Sequence, residues 1–271
     1  MRAEMGANWS LDSRLAMHVM VTPLQRDHWR RACKVLALLL ALTAIFLAWI
    51  AFGTDWDLLL ADRYFDATAK AFPLRHAWAT EVLNHVILKR VFVAIALLFL
   101  GAVLWDLMSP RRWTWLQRFR MRIVALSALI VPTVIGVLKQ QSASHCPWDL
   151  ERYGGTEPYV RLFDYLPAGI GPGNCMPAGH ASSALWMISL AVFFIPLRLR
   201  QAALVLAGFL GMGICVGWMQ QLRGAHFLTH TLWSAWIALF TVYLIVLSMD
   251  CWPRRQAAAR TSSPTRLGQR K

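Results

Sequence analysis

Basic and imidazole side chains at the edges of long apolar runs carry most of the chemical content of this sequence. Lys139 ends one such run, His180 begins another, and Arg223, His226 and His230 fill the short gap before a third. Ionisable groups at membrane depth are costly, so a cluster of them points to function. A lysine and an arginine can neutralise a phosphate group, while imidazoles attack it or exchange protons with it near neutral pH. Each residue also has a plainer account. Lys139 can snorkel from a helix end, Arg223 can hold a lipid headgroup, and His230 can be a packing residue beside Thr231. His145 is evenly balanced between site and loop.

Those positions matter only if the apolar runs are membrane helices. The chain has 271 residues, 57% hydrophobic and 15% charged, with a mean hydropathy of +0.44. Ordinary soluble domains are about 25% charged. The composition excludes a disordered chain, a collagen and a disulfide-stapled secreted miniprotein. The 14 Trp and 13 Phe suit a protein with membrane interfaces. About 20 mostly apolar residues cross a hydrocarbon core, and six runs qualify, at roughly 33–53, 91–108, 122–138, 181–197, 201–218 and 230–249. The expected fold is therefore all-α, a polytopic bundle of six transmembrane helices. Residues 1–32 form a cytoplasmic N-terminal segment, 33–250 the membrane domain and 251–271 a basic cytoplasmic tail. Pro132 is expected to kink the third span, which neighbouring helices tolerate. The polar stretch before the first run lacks the cleavage site of a removable signal peptide.

Charge orients the bundle. The 28 Lys and Arg outnumber the 14 acids, a formal net charge of +14. The excess lies in the N-terminal segment, in 109–122 (Arg111, Arg112, Arg118, Arg120, Arg122), at Arg198 and Arg200, and in the tail from Arg254. Lys/Arg excess marks the cytoplasmic side. The charge thus reads as topology rather than as nucleic-acid binding, with both termini in the cytoplasm of a plasma (inner) membrane. Segments 54–90, 139–180 and 219–229 then face outward, and there acids balance bases. In the first of them Trp56, Leu59, Leu60 and Tyr64 recur at roughly helical spacing, predicting a helix lying in the interface. Under this topology Lys139, His180, Arg223, His226 and His230 reach one external level.

The residues at that level fall into three motifs: K-Q-Q-S-A-S-H-C-P at Lys139–Pro147, P-A-G-H at Pro177–His180, and Q-Q-L-R-G-A-H-F-L-T-H at Gln220–His230. In order and spacing they resemble the signature of the type-2 phosphatidic acid phosphatase (PAP2) superfamily, K-x6-R-P, P-S-G-H and S-R-x5-H-x3-D. The wording C-P-W-D-L, C-M-P-A-G-H-A-S-S and R-G-A-H-F-L-T-H is similar to a bacterial branch of membrane-associated lipid phosphatases. The resemblance spans residues 139–249. It implies a metal-independent hydrolase without a cofactor, acting on a membrane lipid phosphate within the bilayer. By this resemblance Lys139 and the backbone N–H groups around Gly179 would hold the phosphate. His226 would attack phosphorus to form a phosphohistidine, and His180 would protonate the leaving oxygen. A helix N-terminus suits an anion, and fixed cations stabilise the charge of a transferring phosphoryl group.

The sequence also departs from that pattern. The first Arg falls on Cys146, the Ser on Ala178, and the second Arg on Gln220, with Arg223 three residues later. The Asp that orients the nucleophile falls on His230, which one helical turn from His226 would accept the orienting hydrogen bond instead. Arg152 and Arg161 are candidates to supply the missing charge from the long loop.

Cys33, Cys215 and Cys251 lie in or beside apolar runs and read as small apolar residues. Cys146 and Cys175 share the external 139–180 segment, where an oxidising compartment favours a disulfide that holds the segment over the site. A free pair or a metal-binding pair is the alternative. Gly213 and Gly217 make a G-x-x-x-G, expected to serve close packing within one chain rather than dimerisation. Three further functions compete: transfer of the phosphoryl group to another lipid, binding of anionic lipid without turnover, and a Zn or Cu site. The last would combine His226 and His230, four residues apart, with Cys146, Cys175, His145 and His180. H-F-L-T-H lacks the Glu of the zinc-protease H-E-x-x-H. Candidate substrates are phospholipid, isoprenoid and lipid A phosphates, which differ in the pocket they need.

Overall fold

The computed structural model describes residues 23–109 and 113–261. Among them the helices are α1 (Pro23–Gly53), α2 (Trp56–Asp62), α3 (Ala79–Met108), α4 (Trp115–Gln140), α5 (Gly179–Phe194), α6 (Leu199–Leu222) and α7 (Leu228–Thr261). α3 is wound as a π-helix over Ala79–Leu88, and α5 as a 3-10 helix over Trp186–Phe194. Most of the N-terminal segment and the end of the basic tail lie outside the described residues.

α1, α3, α4, α6 and the Leu228–Met249 part of α7 are long and apolar enough to cross a membrane. The six-span count is not confirmed. The run expected at 181–197 is α5, with 7 residues of α-helix and 9 of 3-10 helix, fewer than the about 20 residues of a fully α-helical span, and it runs from the Lys139 end of the bundle to the end where Arg120 meets Ile195. Ala181, Ala184, Leu185, Trp186, Ile188 and Val192 are all buried. Most of α5 is thus packed against protein, including its polar Ser182 and Ser189. α1 is the converse case. Leu38, Leu42, Ile45 and Trp49 are exposed, as a lipid-facing helix requires. It docks on α7 through hydrogen bonds from Trp236 Nε1 to the Leu40 carbonyl (2.8 Å) and from the Tyr243 hydroxyl to the Cys33 carbonyl (3.3 Å).

Local signals place the remaining helices. Thr114 and Gln117 form a capping box at the start of α4: Gln117 N donates to Thr114 Oγ1 (3.3 Å) and Thr114 N to Gln117 Oε1 (2.9 Å). α4 then runs through Pro132 to Gln140. α2 is the short helix expected in the interface, with Trp56 and Leu59 exposed and Asp57 and Ala61 buried. α3 starts at Ala79, well before the expected 91, which moves Glu81 and His85 from loop into helix.

The core gathers Ile123, Val131 and Ile135 of α4, Leu185 and Ile188 of α5, Val216 of α6 and Ala235 and Ala238 of α7. Glycines let α6 approach its neighbours. A Cβ on Gly213 would lie 2.4 Å from Leu185 Cδ2, and one on Gly217 2.2 Å from Thr231 Cγ2. The G-x-x-x-G therefore packs against α5 and α7 of the same chain. Gly217→Val is expected to lower the melting temperature of the detergent-solubilised protein by the equivalent of about 1–3 kcal/mol of overpacking. An unchanged melt would mean that α6 and α7 separate freely there.

A smaller apolar cluster of Ala61, Phe72, Leu150, Tyr153 and Phe227 roofs the bundle. Gly224, at φ +74, brings the α6–α7 turn so close to Phe72 that a Cβ would sit 2.3 Å from its ring. Asp62 accepts two hydrogen bonds from Arg152 (2.9 and 2.7 Å) and one from the Tyr153 hydroxyl (2.9 Å), and Arg161 pairs with Asp55. At the other end of the bundle Arg118 pairs with buried Asp106 (3.0 Å), and Arg120 donates to the Ile195 carbonyl (3.0 Å).

Candidate active site

The site is assembled where the end of α4, the start of α5 and the α6–α7 turn meet under the 139–180 segment. Hydrogen bonds pin the P-A-G-H stretch to α7: Ala178 N donates to the His230 carbonyl (3.0 Å), and Ser234 Oγ to the Ala178 carbonyl (3.0 Å). The backbone at position 178 is thus committed, and the first free N–H groups of α5 begin at Gly179. The Lys139 stem passes 3.6 Å from where a Cβ on Gly179 would lie, so its ammonium is carried to that helix start.

His226 sits in the turn and is buried. Its Nδ1 lies 3.3 Å from Cys175 Sγ, and it also donates to the Cys175 backbone carbonyl. With Nδ1 donating, Nε2 keeps its lone pair. Burial first, and then the charges of His230, Lys139 and His180, hold the His226 imidazole well below its usual range. It is therefore neutral near pH 7.

His230 lies one turn further on α7, fully buried, with Nε2 3.1 Å from Ser144 Oγ. The two imidazoles meet edge-on at 5.8 Å between ring centroids, and among the described residues no hydrogen bond joins them. At its Nδ1, His226 meets Cys175 rather than His230. His180, in the first turn of α5, stacks on His85 of α3 at 4.1 Å and 12°. Its Nε2 is buried without a hydrogen-bond partner.

Arg223 is buried and lies 3.6 Å from Glu81 Oε1, with Nη1 donating to Gln220 Oε1 (3.4 Å). Its guanidinium stacks over Trp148 at 5.6 Å, as does that of Arg75 at 4.7 Å. The position of the expected first arginine, Cys146, is instead disulfide-bonded to Cys175 with a Cα–Cα distance of 5.3 Å. Arg152 and Arg161 are occupied by Asp62 and Asp55, so neither supplies the missing charge. Cys146, Cys175 and His226 are close enough to share a metal, but the disulfide removes the two thiolates that would bind it.

Sequence reasoning missed Glu81, His85, Arg75 and Asp57. The first two were visible as a Glu and a His four residues apart beside an apolar run. Asp57 had no such signal. Its carboxylate accepts from Thr229 N (3.0 Å) and from the Thr229 hydroxyl, capping α7 from α2. Burial pushes this carboxyl up to about 6, against the hydrogen bonds from Thr229 that favour its ionised form. A raised folded value means stability that is full below about pH 4 and lost as the pH rises through about 6, worth at most about 3 kcal/mol. The melting temperature of Asp57→Asn relative to the parent is therefore expected to rise between pH 4.5 and pH 7. A difference that stays flat across this window would show that the carboxyl titrates normally.

These helices and residues define a class: a helical membrane protein whose bundle ends in a cationic, histidine-lined mouth. The model of the PAP2 superfamily matches residues 120–253, a stretch that contains Lys139, His180, Arg223, His226 and His230. The chain belongs to that superfamily, whose members generally hydrolyse phosphoesters. Among curated proteins and among solved structures, none matches the chain.

Proposed function

We propose that this protein removes phosphate from a lipid mono- or diphosphate at the external leaflet, through a phosphohistidine on His226. The observation that carries the reading is the convergence of a lysine, an arginine and two histidines from three separated chain segments on one buried turn. Lys139, Arg223 and the N–H groups from Gly179 onward neutralise the phosphate. His226 Nε2 attacks phosphorus, the bond to the lipid oxygen breaks, and His180 gives that oxygen its proton. The bound phosphate dianion favours the protonated His180 that this step needs. Water then attacks the phosphohistidine, returns a proton to His180 and releases inorganic phosphate. The leaflet assignment is supported by the arginines at the opposite end of the bundle, Arg118, Arg120, Arg198 and Arg200, which mark that end as cytoplasmic.

The test is phosphate release in detergent from phosphatidic acid, phosphatidylglycerol phosphate and an isoprenoid diphosphate, with and without EDTA. Release is expected to survive EDTA. Lys139→Met is expected to lower kcat/KM by about 10²–10³, the size of one lost transition-state contact. Activity abolished by EDTA, or unaffected in Lys139→Met, would sink the reading.

A further inference from the structure

Beside the site lies a cleft of about 420 Å³, lined by His145, Trp148, Asp149, Gly155, Thr156, Glu157 and Gly171–Gly173. Its sign is opposite to that of the mouth. Among the described residues neither Asp149 nor Glu157 is in an ion pair with an arginine or lysine, whereas Asp55, Asp62, Glu81 and Asp106 each are. Thr156 also lines the cleft, donating to Glu157 Oε1 (3.1 Å), and so does His145, only 7% exposed, whose Nε2 has no hydrogen-bond partner and stands 3.9 Å from Glu157 Oε2. A buried imidazole nitrogen without a hydrogen-bond partner is costly, and in the tautomer with its proton on Nδ1 the Nε2 of His145 accepts from a donor placed between it and Glu157.

The cleft is built by backbone close approach. A Cβ on Gly155 would lie 2.1 Å from the Asp149 carbonyl oxygen, and one on Gly173 2.5 Å from His145 Cα. Side chains at either position would close it. It also joins the mouth directly. Trp148 carries the Arg223 guanidinium on its ring and donates its backbone N–H to the Gly224 carbonyl (3.0 Å). Ser144, next to His145, contacts His230. A cationic phosphate cradle and an anionic cleft thus share one tryptophan wall.

We propose that the Asp149–Glu157–His145 cleft binds a free ammonium group on the substrate's headgroup, so that the preferred substrate carries an amine close to its phosphate. The proposal rests on the phosphohydrolase reading for the word substrate, while the cleft itself can be tested without turnover. The ammonium donates to Glu157 and to His145 Nε2, which stand 3.9 Å apart, an arrangement that an acylated amine or a hydroxyl cannot reproduce in charge.

Two experiments on the full-length protein in detergent decide it. Saturation-transfer NMR with glucosamine and glucose, which differ by one ammonium, is expected to show glucosamine contact in the parent and its loss in Glu157→Gln and Asp149→Asn. Kinetics on sphingosine 1-phosphate and ceramide 1-phosphate, which differ in whether the amine is free, are expected to favour the free amine by about tenfold in kcat/KM, the size of one partly desolvated charge contact. That ratio falls towards one in the same variants. Equal behaviour of glucosamine and glucose, or a ratio near one in the parent, overturns the proposal. Phosphate release from both lipids without amine preference removes the cleft and leaves the phosphohydrolase. Glucosamine binding that depends on Glu157, with no release from either lipid, does the reverse.

Discussion

His226→Ala is expected to reduce phosphate release by about 10⁴-fold or more, as removing a covalent nucleophile does when the rest of the site is left in place. The residual rate comes from Lys139, Arg223 and the α5 backbone, which still bind and polarise the phosphate. The parent, quenched in base after mixing with ³²P-labelled substrate, is expected to retain label that is stable to alkali and released by acid, and the alanine variant to retain none. Label that persists in the variant would move the nucleophile elsewhere. The pH profile gives a second check. An imidazole depressed by burial stays neutral well below pH 6.5, so the acid limb of kcat/KM that belongs to the nucleophile lies below that value. A limb at pH 6.5 or above, shared by substrates whose own phosphates titrate differently, would mean a solvated, unperturbed histidine.

Severing the Cys146–Cys175 bond is expected to have the next largest effect, on stability and on activity together. The bond closes a loop with a sequence separation of 29, for which the chain-entropy model gives about 3–4 kcal/mol. Most disulfides act only in that way. Here Cys175 also supplies the carbonyl and the sulfur that face the His226 ring, so loosening it frees that ring to turn. The Cys146→Ser variant, and the parent treated with reductant, are expected to melt lower and to lose about 10- to 100-fold in kcat at temperatures where both remain folded, the usual cost of an orienting contact. A variant that melts lower yet keeps its full kcat would confine the disulfide to stability. Cys33 and Cys215, away from the site, provide the control for reductant acting elsewhere.

The three motifs were legible because their chemistry is local. K-x6 ending in Cys-Pro, P-A-G-H at a helix start and the R-G-A-H turn each declare their side chains within a few residues, and the apolar runs place them at one level. Other features were misjudged because they depend on packing partners far away in sequence. α5 reads as a span by hydropathy alone, and only the structure shows how far it is packed against protein. Arg152 and Arg161 looked available because their acidic partners, Asp62 and Asp55, lie about 90 and 106 residues away. His230 stands one turn from His226 in the sequence, yet in the structure the nearest contact at His226 Nδ1 is the Cys175 sulfur, 51 residues upstream.

Composition, charge asymmetry and motif spacing were thus enough to determine that this is a helical membrane protein of the PAP2 superfamily, since those properties are set by residue type and by distance along the chain. The tertiary structure decided how the missing family residues are replaced. Where the family pattern has its first Arg, Cys146 is tied covalently to Cys175, which faces His226, while Arg223, three residues after the position of the second Arg, lies against Glu81 and Trp148. His85 reaches His180 only because α3 begins at Ala79. Asp57 caps α7 from a different helix. Each of these contacts joins residues that are distant in sequence and adjacent only after burial has brought their helices together.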